Sequence, residues 1–375
     1  TGLLASWPEG GPKLLWKVEG LGEGFSTPSI AGDLMYLMGN KDGQEWVLAI
    51  DRTKEGHGVW AVPTGPIRSN GAGHPGPRST PTVDGNRVYA LGLNGDLVCL
   101  DARSGKVFWR HDLVGEFGGQ VGDWGYAESV LVDDKWVLCT PGGEQATMLA
   151  LLKTNGKPVW RSTFGATADY ASMIAIQVGG IKQYVQFTKQ ALVGVNAKNG
   201  SLLWQYDKPA NDRANCATPV FADDCVFAAS NYSTGGGLVR LKKNRKNWEA
   251  SEVYFTRDMN NHHGGMVLVE GCLYGCDERV LRCLDFKTGK SLWQDRSCGK
   301  CSLVYADGML YCRGEDGLVS LVVAKPDGFE LKGRFEQPYR SERQAWPHPV
   351  IAGGCLYLRD QDKLLCYDLR RLGHQ

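Results

Sequence analysis

The chain has 375 residues, with 42 Lys and Arg against 41 Asp and Glu and a net charge of +1. That balance supplies no field for steering nucleic acid or an anionic membrane, so nucleic acid is excluded as a partner class. No apolar run reaches the roughly 18 residues of a crossing helix, and twelve cysteines are too sparse to be the main framework of a disulfide scaffold.

In chain order, TGLLASWPEGG lacks the charged, apolar and small-residue sequence of a signal peptide, and PKLLWKVEG at 12–20 is a lone strand with its own Trp16. From there short β runs punctuated by DG, NG and GG take over, and helical periodicity is nearly absent. Two phrases recur. One is S/T-P-x-x-x-G-x-x-(V/L)-Y, as in STPSIAGDLMY and STPTVDGNRVY; the other is A-x-D-x-x-(T/S)-G-x-x-x-W, ending at Trp109, Trp160, Trp204 and Trp293. Aligned on the proline, the first phrase falls at Pro28, Pro81, Ser129, Met173, Pro219, Met266, Leu303 and Pro349, a mean step of roughly 46 residues, which is the length of a four-stranded propeller blade. The expected fold is all-β: one domain over 1–375, an eight-bladed β-propeller of four-stranded antiparallel blades starting near 25, 78, 126, 170, 216, 263, 300 and 346. Residues 12–20 complete the last blade, so the ring closes without an open edge.

The residues just before each inner strand line the mouth of the central channel. Three positions before the proline stand Phe25, Arg78, Tyr126, Tyr170, Cys216, His263, Lys300 and Trp346. One position before it stand Thr27, Thr80, Glu128, Ser172, Thr218, Gly265, Ser302 and His348, and hairpin loops add Asn94, Asn231, Asp277, Arg313 and Arg359. Cations, aromatics and acid/base groups converging on one axis suit a small polar or anionic ligand, or a protein partner on the same face. Arg78 and Lys300 would hold a carboxylate or phosphate, Tyr126, Tyr170 and Trp346 would stack, and His263 would move a proton. A water-filled structural channel plugged by aromatics is the competing reading.

The second phrase is similar to the tryptophan-docking motif of PQQ-like (quinoprotein-type) eight-bladed β-propellers, over essentially the whole chain. GPRSTPTVDG, NHHGG and WPHPVIAGG resemble single-propeller PQQ-like repeat proteins of planctomycete type. The resemblance implies an extracytoplasmic protein with an export signal ahead of TGLL. It also implies two functions: a binding scaffold at the envelope, or a quinoprotein-like oxidoreductase of alcohols or sugars with PQQ on the mouth ring and His263 or Glu128 as base. The large quinoprotein dehydrogenases have a much longer chain, carry an adjacent Cys-Cys pair over the quinone and hold calcium with Glu, Asn and Asp; this sequence has no adjacent cysteines, so the scaffold comes first. Blades 5 and 7 depart from the motif, with RLKKNRKNWEA and LVVAKPDGFEL.

Other features read as structure first. Cys272 with Cys283 and Cys355 with Cys366 are expected on directly opposed strand positions, as thiol pairs or disulfides. CGKC at 298–301 has redox or zinc-half-site spacing, and Cys216, His263 and Cys301 form a candidate metal trio. GLGEGF at 20–25 offers glycines without a helix behind them, and RGEDG and RDQDK sit at hairpin turns with little of a calcium loop. Lys242, Lys243, Arg245 and Lys246 read as a solvated hairpin. In MNNHHGGMV, alternation along an extended chain places His262 and His263 on opposite sides, with Gly264 and Gly265 allowing close approach at the axis.

Overall fold

A computed structural model describes residues 2–68, 73–245 and 247–371; Lys246 lies outside them. Eight four-stranded antiparallel sheets follow one another at 29–66, 82–112, 131–162, 174–206, 220–256, 266–295, 301–336 and 350–368. The eighth sheet has three strands of its own, and Leu14–Val18 adds the fourth, pairing Trp16 with Cys366 and Val18 with Leu364. Sequence reading thus places both the blade count and the closure correctly. The N-terminal segment does more than one strand, however. Leu4 N donates to Leu369 O at 2.7 Å and Trp7 N to Lys332 O at 2.9 Å, and the Trp7 ring packs on Phe335 at 5.4 Å.

Neighbouring blades are joined by the recurring motif. Trp60 and Tyr36 of blade 1 both donate to Ala102 O of blade 2 at 3.0 Å. Trp109 and Tyr89 of blade 2 do the same to Lys153 O of blade 3, at 3.2 and 3.1 Å. The motif glycine lies under the neighbour's indole: a Cβ on Gly105 would sit 2.8 Å from Trp60, and one on Gly200 2.3 Å from Trp160. Both glycines also have φ of +72°, in the left-handed region that side chains disfavour. Blade 5 replaces the tryptophan with Tyr254, whose hydroxyl donates to Phe286 O at 3.0 Å.

The ring is sealed between blades 7, 8 and 1 by two fully buried guanidiniums. Arg313 donates to Arg359 O, to Pro347 O and to Gln337 Oε1 at 2.6 Å. Arg359 reaches Ser26 O at 2.7 Å, Gly22 O at 3.0 Å, Gln361 O at 2.9 Å and also Met38 O. Both were expected at the channel mouth, and the structure instead assigns them to the blade seams. The GLGEGF turn is the strap that Arg359 holds.

The cysteine registers also differ from expectation. Cys272 faces Asp285 while Cys283 faces Tyr274, and Cys355 faces Asp368 while Cys366 faces Tyr357. Each pair is therefore diagonal, two residues out of the opposed register, because the connecting turns are centred one residue further along than the sequence suggested. All twelve cysteines are free.

Removing Arg359 leaves at least four buried carbonyls without a donor. Arg359→Met is expected to lower the unfolding free energy by about 3 to 5 kcal/mol, whereas Arg103→Met, at an exposed turn, should change it by under about 0.5 kcal/mol. Urea denaturation of the two variants checks this; equal midpoints would show that the seam is not held by Arg359.

Candidate functional site

Loops that leave the outer strand of one blade and enter the inner strand of the next gather at one end of the channel, around a cavity of about 520 Å³. Twelve of the sixteen aligned mouth residues line it: Phe25, Arg78, Tyr170, Cys216, His263 and Trp346 from the first set, and Thr27, Thr80, Ser172, Thr218, Gly265 and His348 from the second. Tyr126, Lys300, Glu128 and Ser302 do not.

Blade 3 accounts for two of these absences. Its inner hairpin pairs Asp133 with Trp136 as blade 1 pairs Ala31 with Leu34, so Val130, not Ser129, holds the proline position. A one-residue slip sends every side chain to the other face of a strand. Ser129 and Ala127 consequently face the cavity, while Tyr126 and Glu128 turn into the blade. Tyr126 donates to Pro141 O at 2.6 Å. Glu128 is 2% exposed and accepts from Thr140 Oγ1 at 2.9 Å and Gln186 Nε2 at 3.0 Å, and burial pushes its pKa up to about 7. It has no path to a mouth ligand, which corrects its assignment as a base. Blade 3 has lost the Pro and Gly of the phrase, with Val130 and Asp134 in their places, so the sequence permits two alignments; the connection after blade 2 also carries a short helix, Leu113–Phe117, that the sequence pattern did not announce.

The ring at the second set is a belt of hydroxyls bonded to their neighbours. His348 N donates to Thr27 Oγ1 at 3.2 Å, Thr80 N to Ser129 Oγ at 2.9 Å and Ser129 N to Ser172 Oγ at 2.9 Å. Above it stands an aromatic wall. Trp346 meets Phe25 and His74 at ring separations of 4.7 Å and His263 at 5.1 Å, and Trp124 meets Tyr170 edge-on at 5.7 Å.

His262 and His263 both line the cavity, with ring centroids 4.8 Å apart. The expected opposite placement fails because this stretch is looped. Asn261 Nδ2 donates to Gly265 O and Cys276 O, both at 2.9 Å, folding the chain back on itself. Gly264 and Gly265 do permit the close approach: added Cβ atoms would lie 2.2 Å from Cys301 O and 2.7 Å from His348 Cε1.

Behind His263 lies the group that sequence reading missed. Glu315 Oε1 accepts from His263 Nε2 at 2.9 Å and Trp346 Nε1 at 2.6 Å, and Lys300 Nζ lies 3.3 Å away. Burial pushes the Glu315 pKa up, but the His263 bond, the nearby charges and the Trp346 bond outweigh it and bring it down to about 2. Lys300 therefore balances Glu315 and does not line the cavity, which corrects its placement on the ring. His263 holds its proton on Nε2, facing the carboxylate, and burial lowers its pKa. His262 is lowered to about 3, by burial and by His263. Glu315 lies in RGEDG, where a hairpin turn is the natural reading; only its place after the buried Arg313 would have marked it.

Arg78 is the cation that remains. It donates to Trp124 O at 2.9 Å and His74 O at 2.7 Å, and among the described residues no carboxylate pairs with it. Burial lowers its pKa to about 10, so it stays charged at neutral pH. The proposed metal trio does not assemble. Cys216 and His263 line the cavity, but Cys301 is buried in the core of blades 6 and 7, and among the described residues no group of three or more His, Cys, Asp or Glu is arranged to hold a metal ion.

Because the folded pKa of Glu315 is depressed, its stabilising contribution is present above the unfolded value of about 4.3 and is lost as pH falls towards about 2. The stability difference between wild type and Glu315→Gln should therefore shrink by about 2 kcal/mol as pH falls through that window. Urea titrations at a series of acidic pH values measure it, and a difference that does not vary with pH would contradict the assignment.

The family model described as outer membrane protein assembly factor BamB matches residues 43–295. Two curated proteins of that description are similar: one from Burkholderia pseudomallei, 25% identical over 57% of this chain and 54% of its own length, and one from Bordetella pertussis, 24% identical over 64% of this chain and 60% of its own. The chain thus matches little more than half the length of these relatives. Among solved structures, BamB from Moraxella catarrhalis superposes with a TM-score of 0.67 at 14% identity, covering 97% of this chain and 99% of that one. The computationally designed Ika8 protein gives 0.64 at 9% identity, covering 95% and 99%. With the family model spanning blades 1 to 6 and eight blades closed by the N-terminal strand, the chain belongs to the BamB family of PQQ-like repeat β-propellers.

Proposed function

We propose that this protein is an extracytoplasmic binding scaffold that assists the assembly of envelope proteins and uses the channel-mouth face for binding. The observation that carries this reading is the cavity, where one half-buried cation and an aromatic wall are held in place by bonds to the blades. Preorganised groups of this kind lower the ordering cost of binding. The family name supplies the process, and the resemblance to exported repeat proteins supplies the compartment.

The quinone reading fares less well on the chemistry of the donor set. PQQ presents three carboxylates, and the cavity lining holds one cation once Lys300 is balanced by Glu315. Two carboxylates would be left without a cationic partner, which is unfavourable.

Depleting the protein in the organism that encodes it is expected to reduce the folded fraction of outer-membrane β-barrels, read by heat-modifiable gel mobility. Tyr232→Glu together with Tyr339→Glu, at exposed mouth-loop positions, should fail to restore it where wild type succeeds. Barrel levels that do not respond to depletion would defeat the scaffold reading.

A further inference from the structure

The cavity has a definite charge and donor pattern. Among the described residues its lining includes Arg78 and no Asp or Glu. Arg78 uses one N–H on Trp124 O and one on His74 O, and a guanidinium has five. The acid that acts on it from a distance, Glu45, is itself buried, with its pKa pushed up to about 7, so it is a partial charge at most near neutrality. Burial disfavours the charged form of all four lining histidines.

The floor adds donors of the same polarity. The oxygens of Thr27, Ser129 and Ser172 are each engaged as acceptors by a neighbouring blade's amide. Among the described residues their own O–H groups have no acceptor, so these protons are free for a ligand. One cation and a set of hydroxyl donors beneath an aromatic wall match an anionic head on a flat apolar body. A volume of about 520 Å³ falls within the range of small-molecule sites.

From this the geometry points to a binding site for a small aromatic monocarboxylate, its carboxylate between Arg78 and the hydroxyl floor and its ring against Trp346 and Phe25. The assignment rests on the mouth being a binding face, and it goes beyond that reading by fixing charge, head group and body. A single cation selects one negative charge. Further carboxylates would meet neutral imidazoles and indoles.

Calorimetric titration of para-coumarate into the intact protein tests this, with its methyl ester, trimesate and acetyl-Gly-Tyr free acid as comparisons. The monoacid is expected to bind and quench tryptophan fluorescence, with the ester weaker by about tenfold or more and the tricarboxylate trimesate weaker as well. Arg78→Met should weaken the acid by about tenfold or more and leave the ester unchanged. Arg78→Lys, which keeps the charge, should retain most of the affinity and guards against a loss caused by misfolding. The proposal is overturned by acid and ester binding alike, by trimesate binding more tightly, or by no response to millimolar para-coumarate. Binding of the peptide acid alone would also overturn it, by assigning the site to a chain terminus. Such failures leave the β-barrel mobility result untouched, whereas a failed depletion experiment with para-coumarate still bound removes only the scaffold reading.

Discussion

The structure depends on a contact between neighbouring blades at the outer radius. A carbonyl of the next blade accepts an indole N–H, at Ala102, Lys153, Ala197 and Lys325, and the first two accept a tyrosine hydroxyl as well, as Ala102 O does from Trp60 and Tyr36. A glycine beneath the indole is required because the chain turns there with positive φ and the ring lies against it. This contact joins aromatic burial to two directional bonds, so it fixes the rotation between blades as well as holding them together. Where the partner lacks the motif the contact changes. Trp204 faces blade 5, which has no such turn, and its N–H goes to Gln183 Oε1 within its own blade at 2.7 Å. Its ring still packs against blade 5 residues Val226 and Val239.

Closure of the ring uses a different device. At the seam between the C-terminal strands and the N-terminal segment, Arg313 and Arg359 satisfy backbone carbonyls of blades 8 and 1. A buried guanidinium carries a desolvation cost, which its bonds to otherwise orphaned carbonyls offset, and the directions of those bonds fix how the blades meet. Arg359 pins Gly22 and Ser26, which flank Phe25 and precede Thr27. The mouth wall on that side is therefore set by the seal of the ring.

Much of this was legible because a repeat constrains itself. The period, the blade count, the closing strand and most of the mouth ring follow from the spacing of a few prolines, glycines and tryptophans. The misreadings arise where local chemistry leaves the repeat. In blade 3 the phrase has lost both Pro and Gly, and ESVLVDDKW permits two alignments one residue apart; the wrong one moves Glu128 from core to cavity. The paired cysteines needed the centre of a turn, which sequence locates only to within a residue or two. His262 needed knowledge that Asn261 folds its segment back. Glu315 needed contacts across three blades, which no local pattern carries.

The distribution of charge around the mouth follows from that last contact. Glu315 lies on the side of blades 6 to 8, where Lys300 balances it and His263 and Trp346 donate to it. Its charge therefore acts to orient an imidazole and an indole and is not presented to the cavity. Arg78 stands beside the aromatic wall, its guanidinium 5.8 Å from the Phe25 ring, and is bonded only to carbonyl oxygens, which hold it in place without neutralising it. A guanidinium fixed by neutral acceptors and partly withdrawn from solvent acts more strongly on a bound charge than one in bulk water. The cavity thus sets one cation at the edge of an aromatic surface, and a ligand with both an apolar body and an anionic end would have one favoured orientation within it.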